Sequence, residues 1–177
     1  MEEQTIIRNI DDKSVIKNDE DIVDQKLNKI NEIIDSYLIN YGINIKPNSE
    51  DVSQYFSLTK QQIEKMCAEE CDETACLLLQ KATQIQMEIN KHHRIYNWAN
   101  ENIKAFISDK IEKFGGQYTP AETKKTIAIQ NHTYTNKLYT LARTTKTYLD
   151  SLEYLPMCLK NQADFFMNLA KSRRKAN

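Results

Sequence analysis

The residue types best suited to chemistry are concentrated in the stretch NKHHRIYNWANENIK, which holds two adjacent histidines, three cations, a tyrosine and the only tryptophan. A zinc site on one helix uses histidines at positions i and i+4, whereas His92 and His93 are adjacent and point about 100° apart on a helix. No serine or cysteine nucleophile motif accompanies them. We therefore predict no metal site, no catalytic site and no cofactor, and we expect His92 to pack in a helix seam.

The four cysteines do not form a metal-binding pattern. Cys67, Cys71 and Cys76 have the spacing C-x3-C-x4-C, whereas structural zinc sites favour short C-x2-C pairs. We expect the cysteines to act as small apolar residues at helix contacts. Because the N-terminus lacks the features of a secretory signal, we also expect reduced thiols and a cytoplasmic location, in a bacterium or a phage-infected host cell.

Four residues of the first stretch are predicted to form one wall of a surface that binds single-stranded DNA: Lys91, Arg94, Trp98 and Lys104. Single strands bind to positive surfaces that carry rings on which bases stack. Trp98 lies outside the heptad seam, so it is either exposed or covered by another element. Two interpretations of this ring stay open: a platform for a base, or an anchor for the N-terminal helix or a subunit interface.

A second basic cluster is predicted at the tip of a helical hairpin. Its cations stand on both sides of a loop, and two rings lie between them: Lys110, Lys113, Lys124, Lys125, Phe114 and Tyr118. Hydroxyls and lysines of the following run, including Thr140, Thr144 and Lys137, could also contact phosphates. The alternative is a solvated surface with ordinary lysines and threonines.

Charge is divided unevenly along the chain, although the net charge is −1. Residues 1–75 contain 17 acidic and 8 basic residues, and residues 76–177 contain 8 acidic and 16 basic ones. A basic segment attracts phosphate backbones without reading their sequence, so the division predicts a polyanionic partner for the second half. The alternative is that the two halves neutralise each other across an interface.

The elements that must position these residues are helices. Only three glycines and three prolines occur, which argues against a turn-rich β protein. Apolar residues recur at helical spacing over residues 21–41. A capping box, Thr59 to Gln62, begins a second helical stretch, which we expect to break near Glu69–Glu73. Nine positions then alternate by three and four as a heptad seam: Leu78, Ala82, Ile85, Ile89, His92, Tyr96, Ala99, Ile103 and Phe106.

The return helix of the hairpin is predicted to follow the loop FGGQYT, with Thr119 as the capping residue and Pro120 in the first helical position. Two rows repeat by sevens: Ile127, Tyr134, Leu141, Tyr148 and Leu155 in one, and Asn131, Leu138, Thr145, Leu152 and Leu159 in the other. Pro156 should break the helix near Leu152, whose carbonyl its ring would strike.

These patterns predict an all-α fold, a long antiparallel helical hairpin with an N-terminal helix. A thin hairpin buries little surface, so we expect a homo-oligomer. We expect a flexible tail over residues 1–20, an N-terminal helix and linker over residues 21–58, and a hairpin domain with a kinked C-terminal helix over residues 59–177. No stretch approaches 18 consecutive apolar residues, so no membrane span is predicted.

From about residue 77 onward the chain resembles the small phage recombination mediators of the UvsY type. The similarity rests on INKHHRI in the first helix, on DKIEKFGG before the loop and on ETKKT at the start of the return helix. It continues through the segments Tyr148–Asp150 and Phe165–Phe166. The family's basic run before the loop would fall on residues 108–111, where only Lys110 keeps the charge.

This resemblance implies a helical oligomer that binds single-stranded DNA and helps a RecA-like recombinase to load on strands coated by single-strand-binding protein. The recombinase and the single-strand-binding protein are the partners it implies. No motif supplies paired acids, an activated nucleophile or a phosphate loop, so we expect that the protein is not an enzyme. The second interpretation is a non-enzymatic assembly, virion structural or adaptor protein without nucleic-acid binding.

Overall fold

The computed structural model describes residues 4–43, 50–110 and 118–176. These residues form helices and contain no strand, so the predicted all-α class is confirmed. The helices are α1 (Gln4–Asn40), α2 (Lys60–Lys65), α3 (Ala68–Asp109), α4 (Ala121–Asn131), α5 (Thr133–Leu152) and α6 (Leu155–Ala176), and a 3-10 helix spans Ser53–Phe56. None of the described helices is long and apolar enough to cross a membrane.

Most of the predicted helix ends are found close to their expected positions. Thr59 and Gln62 form the predicted capping box at the start of α2. The break between α2 and α3 falls just before the acidic run in which it was expected. The turn between α5 and α6 lies at the position predicted from Pro156. At the start of α4, however, Pro120 is the capping residue and no side chain caps the helix, so Thr119 does not have its predicted role.

Two helix boundaries were not foreseen. Helix α1 begins at Gln4 and therefore runs through the residues predicted as a tail, whose flexibility stays a prediction. The return helix is interrupted at His132, which is extended with φ −134° and ψ 119°. The Thr135 hydroxyl donates to the carbonyl of Ala128 and to that of His132. The Thr135 hydroxyl thereby gives the carbonyl of Ala128 a donor, which the interruption at His132 would otherwise leave without its usual helical partner.

The chain divides into two compact units. The first, called unit 1, contains Met1–Asn44 and His93–Thr147, and unit 2 contains Ile45–His92 and Tyr148–Asn177. Helices α3 and α5 each contribute residues to both units. The domain boundary predicted at residue 58 lies inside unit 2. Each unit consists of two segments that are distant in sequence.

Unit 1 has a core in which α1 packs against α3 and α5. The buried members of this core are Val23, Ala99, Ile103, Leu138 and Ala142. The side chains of Leu27, Tyr96 and Trp98 are partly buried against it. The predicted N-terminal helix is thus held to the rest of unit 1 by its apolar side chains.

Unit 2 has a second core in which α3 packs against α6. Its buried members are Ala68, Cys71, Ala75, Leu78, Ala82, Leu159, Ala163, Phe166 and Ala170. None of the nine positions of the predicted heptad seam on α3 is exposed. The seam prediction is therefore confirmed from Leu78 to Phe106, while the predicted homo-oligomer stays a prediction.

One predicted row of the return helix is displaced by one residue. Helices α4 and α5 bury Ala128, Thr135, Ala142 and Leu149 instead of the neighbouring row that begins at Ile127. Tyr148 of the predicted row is 55% exposed. Three of the four buried residues have small side chains, which allow a neighbouring helix to approach closely. The sequence pattern favoured the larger apolar residues and missed this preference for small ones.

Candidate nucleic-acid interface

Each unit combines an acidic segment with a basic one. In unit 1, residues 1–44 contain ten acidic and five basic residues, and residues 93–147 contain four acidic and nine basic ones. In unit 2, residues 45–92 contain eight acidic and five basic residues, and residues 148–177 contain three acidic and five basic ones. The division of charge in the sequence therefore does not give one acidic and one basic body. It supports the alternative of mutual neutralisation within each unit.

Ion pairs join the acidic and basic segments inside both units. In unit 1, Lys137 Nζ lies 3.1 Å from Asp24 Oδ2 of α1. Lys26 Nζ of the same helix lies 5.7 Å from the centre of the Tyr134 ring. In unit 2, Arg174 forms an ion pair with Asp72. These contacts occupy part of the positive charge that was predicted to meet a polyanion.

The Trp98 ring is part of the unit 1 core. The residue is partly buried and packs against the cluster that contains Val23 of α1. Asn102 Nδ2 donates a hydrogen bond of 2.8 Å to its carbonyl oxygen. Of the two interpretations of this ring, the anchor for the N-terminal helix agrees with its surroundings. A role for Trp98 in base stacking stays a prediction.

Two of the cations near Trp98 lie on its side of α3. Arg94 and Lys91 precede it by four and seven residues, so the three residues fall within about 60° of the helix surface. Both cations are half-buried, and Arg94 Nε is buried and has no hydrogen-bond acceptor among the described residues. Lys104 is exposed, but it follows Trp98 by six residues and so lies about 120° around the helix from it. Lys104 is thus separated from the other three residues, and DNA binding by this group stays a prediction.

Only part of the basic cluster predicted at the hairpin tip lies among the described residues, which do not include Lys113 and Phe114. Lys110 Nζ lies 4.0 Å from the centre of the Phe106 ring, which is the geometry of a cation–π contact. Tyr118 is 95% exposed, whereas Lys124 is only 8% exposed, and Lys125 is half-buried. An 8% exposed lysine offers little of its surface to a phosphate, so Lys124 is poorly placed for its predicted role.

A different surface combines exposure with positive charge. The 27 residues from Thr123 to Leu149 contain five cations and no acidic residue. On α5 the exposed members of this segment within unit 1 cover about 160° of the helix surface. They are Asn136, Tyr139, Thr140, Arg143, Thr144, Lys146 and Thr147, and together they are called the α5 outer face.

The α5 outer face presents side chains of the types that proteins use to contact single-stranded nucleic acid. Tyr139 is 41% exposed, and Arg143 and Lys146 follow it at i+4 and i+7, on the same side of the helix. The hydroxyl of Thr147 donates to the carbonyl of Arg143 at 3.2 Å. A ring beside two cations and several hydroxyls can stack a base and contact the neighbouring phosphates.

Sequence reasoning noted the threonines of α5 but missed Tyr139, Arg143 and Lys146. It grouped the threonines with Lys137, whose ammonium group pairs with Asp24. The absence of acidic residues between Glu122 and Asp150 was the available signal. This signal is weak in the sequence because the cations of α5 are spread along the helix and do not cluster around a loop.

Of the four cysteines only Cys71 is buried in a core, whereas Cys67, Cys76 and Cys158 are exposed, so the prediction that the cysteines pack at helix contacts is wrong for these three. Cys67 Sγ accepts a hydrogen bond from the backbone N–H of Glu70 at 3.4 Å, at the start of α3. Burial raises the pKa of the Cys71 thiol above its usual range. The His92 ring stacks on Tyr148 with centroids 5.3 Å apart. In the described part of the chain, no group of three or more histidine, cysteine, aspartate or glutamate side chains could hold a metal ion.

Comparison with known proteins gives no relative for this chain. No family model, curated protein or solved structure matches it.

Proposed function

We propose that the protein binds single-stranded DNA through the α5 outer face of unit 1. The observation that carries this proposal is the exposed face of α5 that has no acidic residue before Asp150, where Tyr139, Arg143 and Lys146 lie on one side. Within unit 1 this face lacks the like-charge repulsion that opposes a phosphate backbone elsewhere on the chain. The proposed site replaces the predicted wall around Trp98 as the main contact surface.

The biological role that we propose is that of a recombination mediator, which assists the loading of a RecA-like recombinase. This refinement rests on the resemblance to the UvsY type that begins near residue 77. The segment with the resemblance includes all of α5. The expected partners are single-stranded DNA, a recombinase and a single-strand-binding protein, in a non-enzymatic reaction and with the protein as a homo-oligomer.

The contacts on the α5 outer face suit weak, salt-sensitive binding. Stacking of one base on Tyr139 would contribute about 1–3 kcal/mol. Each phosphate that Arg143 or Lys146 neutralises adds about 0.7 to the slope of log K against log salt for a single strand. A few such contacts give sequence-tolerant binding, because phosphates and base faces are common to all sequences.

The experiment that tests the proposal is fluorescence anisotropy of a labelled oligo-dT across a salt series. The Arg143→Ala and Lys146→Ala variants should each weaken binding and lower the salt slope by roughly 0.7, as expected for one lost phosphate contact. The Tyr139→Ala variant should weaken binding with an unchanged slope, since a stacking contact releases no counterion. Lys160→Ala, which removes an exposed cation from unit 2, is the matched control.

Three results would count against the proposal. An anisotropy that does not change with protein concentration at low salt would show that the protein does not bind single-stranded DNA. Equal weakening by Arg143→Ala and Lys160→Ala would mean that binding follows total charge and not this face. Loss of binding in Lys104→Ala alone would move the site back to the surface of α3.

The second candidate function is a non-enzymatic assembly or adaptor protein without nucleic-acid binding. The balance of acidic and basic segments within each unit favours it, because a nearly neutral body has little long-range attraction for a polyanion. Oligo-dT distinguishes the two candidates: an adaptor gives no anisotropy change at low salt, whereas the first candidate gives a change that salt reverses.

A further inference from the structure

An open groove of about 450 Å³ lies in unit 2, between the region before α2 and the first turns of α3. Its apolar lining comes from Tyr55, Leu58, Met66 and Leu77. Glu70 and Glu73 also line it and are exposed. This α2–α3 groove lies within the size range of small ligand-binding clefts, roughly 300–1,000 Å³.

The walls of the groove are held by side chains from α6. Gln162 Nε2 donates to the carbonyl of Tyr55 at 3.2 Å. The Arg173 guanidinium donates to the carbonyls of Ile63, Glu64 and Met66, at the end of α2. These bonds connect residues more than 100 positions apart in sequence. The groove is therefore preorganised, which lowers the ordering cost of binding.

Both helices that form the groove begin at capped ends. The Thr59 side chain and the Gln62 side chain close the capping box of α2. The backbone N–H of Cys67 donates to Glu70 Oε2 at 2.7 Å, while Cys67 Sγ accepts from the N–H of Glu70. The carboxylate of Glu70 is thus fixed in place at the edge of the groove. Glu73, one turn further along α3, is exposed beside it.

The charge around the groove selects for a basic ligand. Residues 60–77 contain five acidic and two basic residues, and Lys65 is the one cation among the described lining residues. An anion would meet Glu70 and Glu73 at the entrance, whereas a lysine or arginine would find a carboxylate there. The apolar floor requires a bulky apolar group, and the flexible Met66 side chain can adapt to its shape.

We propose that the α2–α3 groove is a docking site for a partner polypeptide, and that it takes a short segment with a pair of bulky apolar side chains flanked by lysines or arginines. The apolar pair fills the space over Tyr55, Leu58 and Leu77. The flanking cations lie against Glu70 and Glu73. This site is independent of DNA binding and gives unit 2 a function of its own.

The test uses three labelled synthetic peptides and the full chain. The first peptide has a central Leu-Phe pair with two lysines on each side. In the second, Ser-Ser replaces Leu-Phe, and in the third, glutamates replace the lysines. We expect the first peptide to bind at least tenfold more tightly than either of the others, as measured by fluorescence anisotropy.

Two variants of α3 locate the binding. Glu73→Lys reverses a charge at the groove, and Glu88→Lys makes the same change at an exposed position of α3 in unit 2 outside the groove. We expect the first variant to weaken binding of the Leu-Phe peptide at least fivefold and the second less than twofold, with unchanged circular dichroism. Equal affinity for all three peptides, or equal weakening by both variants, would overturn the proposal.

Discussion

Units 1 and 2 are built in the same way but expose surfaces of opposite charge. Each unit joins a segment from the acidic part of the chain to one from the basic part, and each secures that join with an ion pair, Lys137–Asp24 in unit 1 and Arg174–Asp72 in unit 2. Unit 1 nevertheless exposes the acid-free α5 outer face, whereas unit 2 exposes carboxylates around an apolar groove. Similar net charge therefore accompanies different binding chemistry.

This difference shows that the charge exposed by each unit depends on which helix faces point to solvent, and not on the net charge of a sequence segment. The basic segment of unit 1 loses part of its positive charge to contacts with α1, through Lys137, and to partial burial of Arg94. What is left for a ligand is the side of α5 that faces away from the core. The acidic segment of unit 2 likewise uses Asp72 in an ion pair and leaves Glu70 and Glu73 at the groove.

The largest effect on stability is expected from Phe166→Ala in unit 2. Phe166 is fully buried and stacks edge-on against Phe165, which is 45% exposed. Removing a buried phenylalanine side chain leaves a cavity and costs about 3–5 kcal/mol. Urea denaturation should show this loss in the free energy of unfolding. Phe165→Ala is the neighbouring control, and an equal loss in both variants would contradict the packing described for α6.

A smaller loss is expected from Arg173→Met. The guanidinium donates to three backbone carbonyls at the end of α2, and hydrogen bonds from charged groups contribute roughly 1.5–3 kcal/mol. We expect the free energy of unfolding to fall by about 2 kcal/mol. Arg174→Met breaks only the exposed ion pair with Asp72 and should cost less than about 1 kcal/mol. The reverse order would show that α6 does not hold the groove through Arg173.

The ion pair of unit 1 is expected to contribute less to the free energy of unfolding than the hydrogen bonds of Arg173 do. Lys137 and Asp24 have side chains that are 25% and 65% exposed, so solvent weakens their attraction. A double-mutant cycle with Lys137→Met and Asp24→Asn should give a coupling free energy of about 0.2–1 kcal/mol that decreases with added salt. A coupling free energy above about 2 kcal/mol would mean that α1 is held by charge more than by its apolar contacts.

The smallest change, with no effect on stability, concerns thiol reactivity. Burial raises the pKa of Cys71, so its thiol stays protonated at neutral pH and is a poor nucleophile. Cys67, Cys76 and Cys158 are exposed. A chromogenic disulfide reagent should therefore react quickly with three thiols and slowly with one. The slow rate should increase as the pH rises towards the raised pKa. Four equal rates would contradict the burial of Cys71.

Helix positions could be predicted from the sequence because their causes are local. The heptad seam on α3, the capping box at Thr59 and the turn before Pro156 depend on neighbouring residues and were predicted correctly. The interruption at His132 and the burial of small residues such as Ala128 depend on partner helices, which no short window contains. Their prediction failed for that reason.

The candidate site was harder to predict than the fold. A cation has the same letter in the sequence whether it is exposed, buried as Lys124 is, or paired as Lys137 is. Exposure depends on which faces pack together. The sequence shows the acid-free run from Thr123 to Leu149, but only the packing of α5 determines that Tyr139, Arg143 and Lys146 are exposed.

Our proposal separates the two units: unit 1 contacts nucleic acid through α5, and unit 2 does not. Hydrogen–deuterium exchange of the full chain, with and without oligo-dT at low salt, would show this difference. We predict slower exchange in peptides that cover residues 136–147 and unchanged exchange in those that cover residues 60–77. Slower exchange in residues 60–77 without any change in α5 would contradict the claim, and no change in either segment would show that the protein does not bind single-stranded DNA.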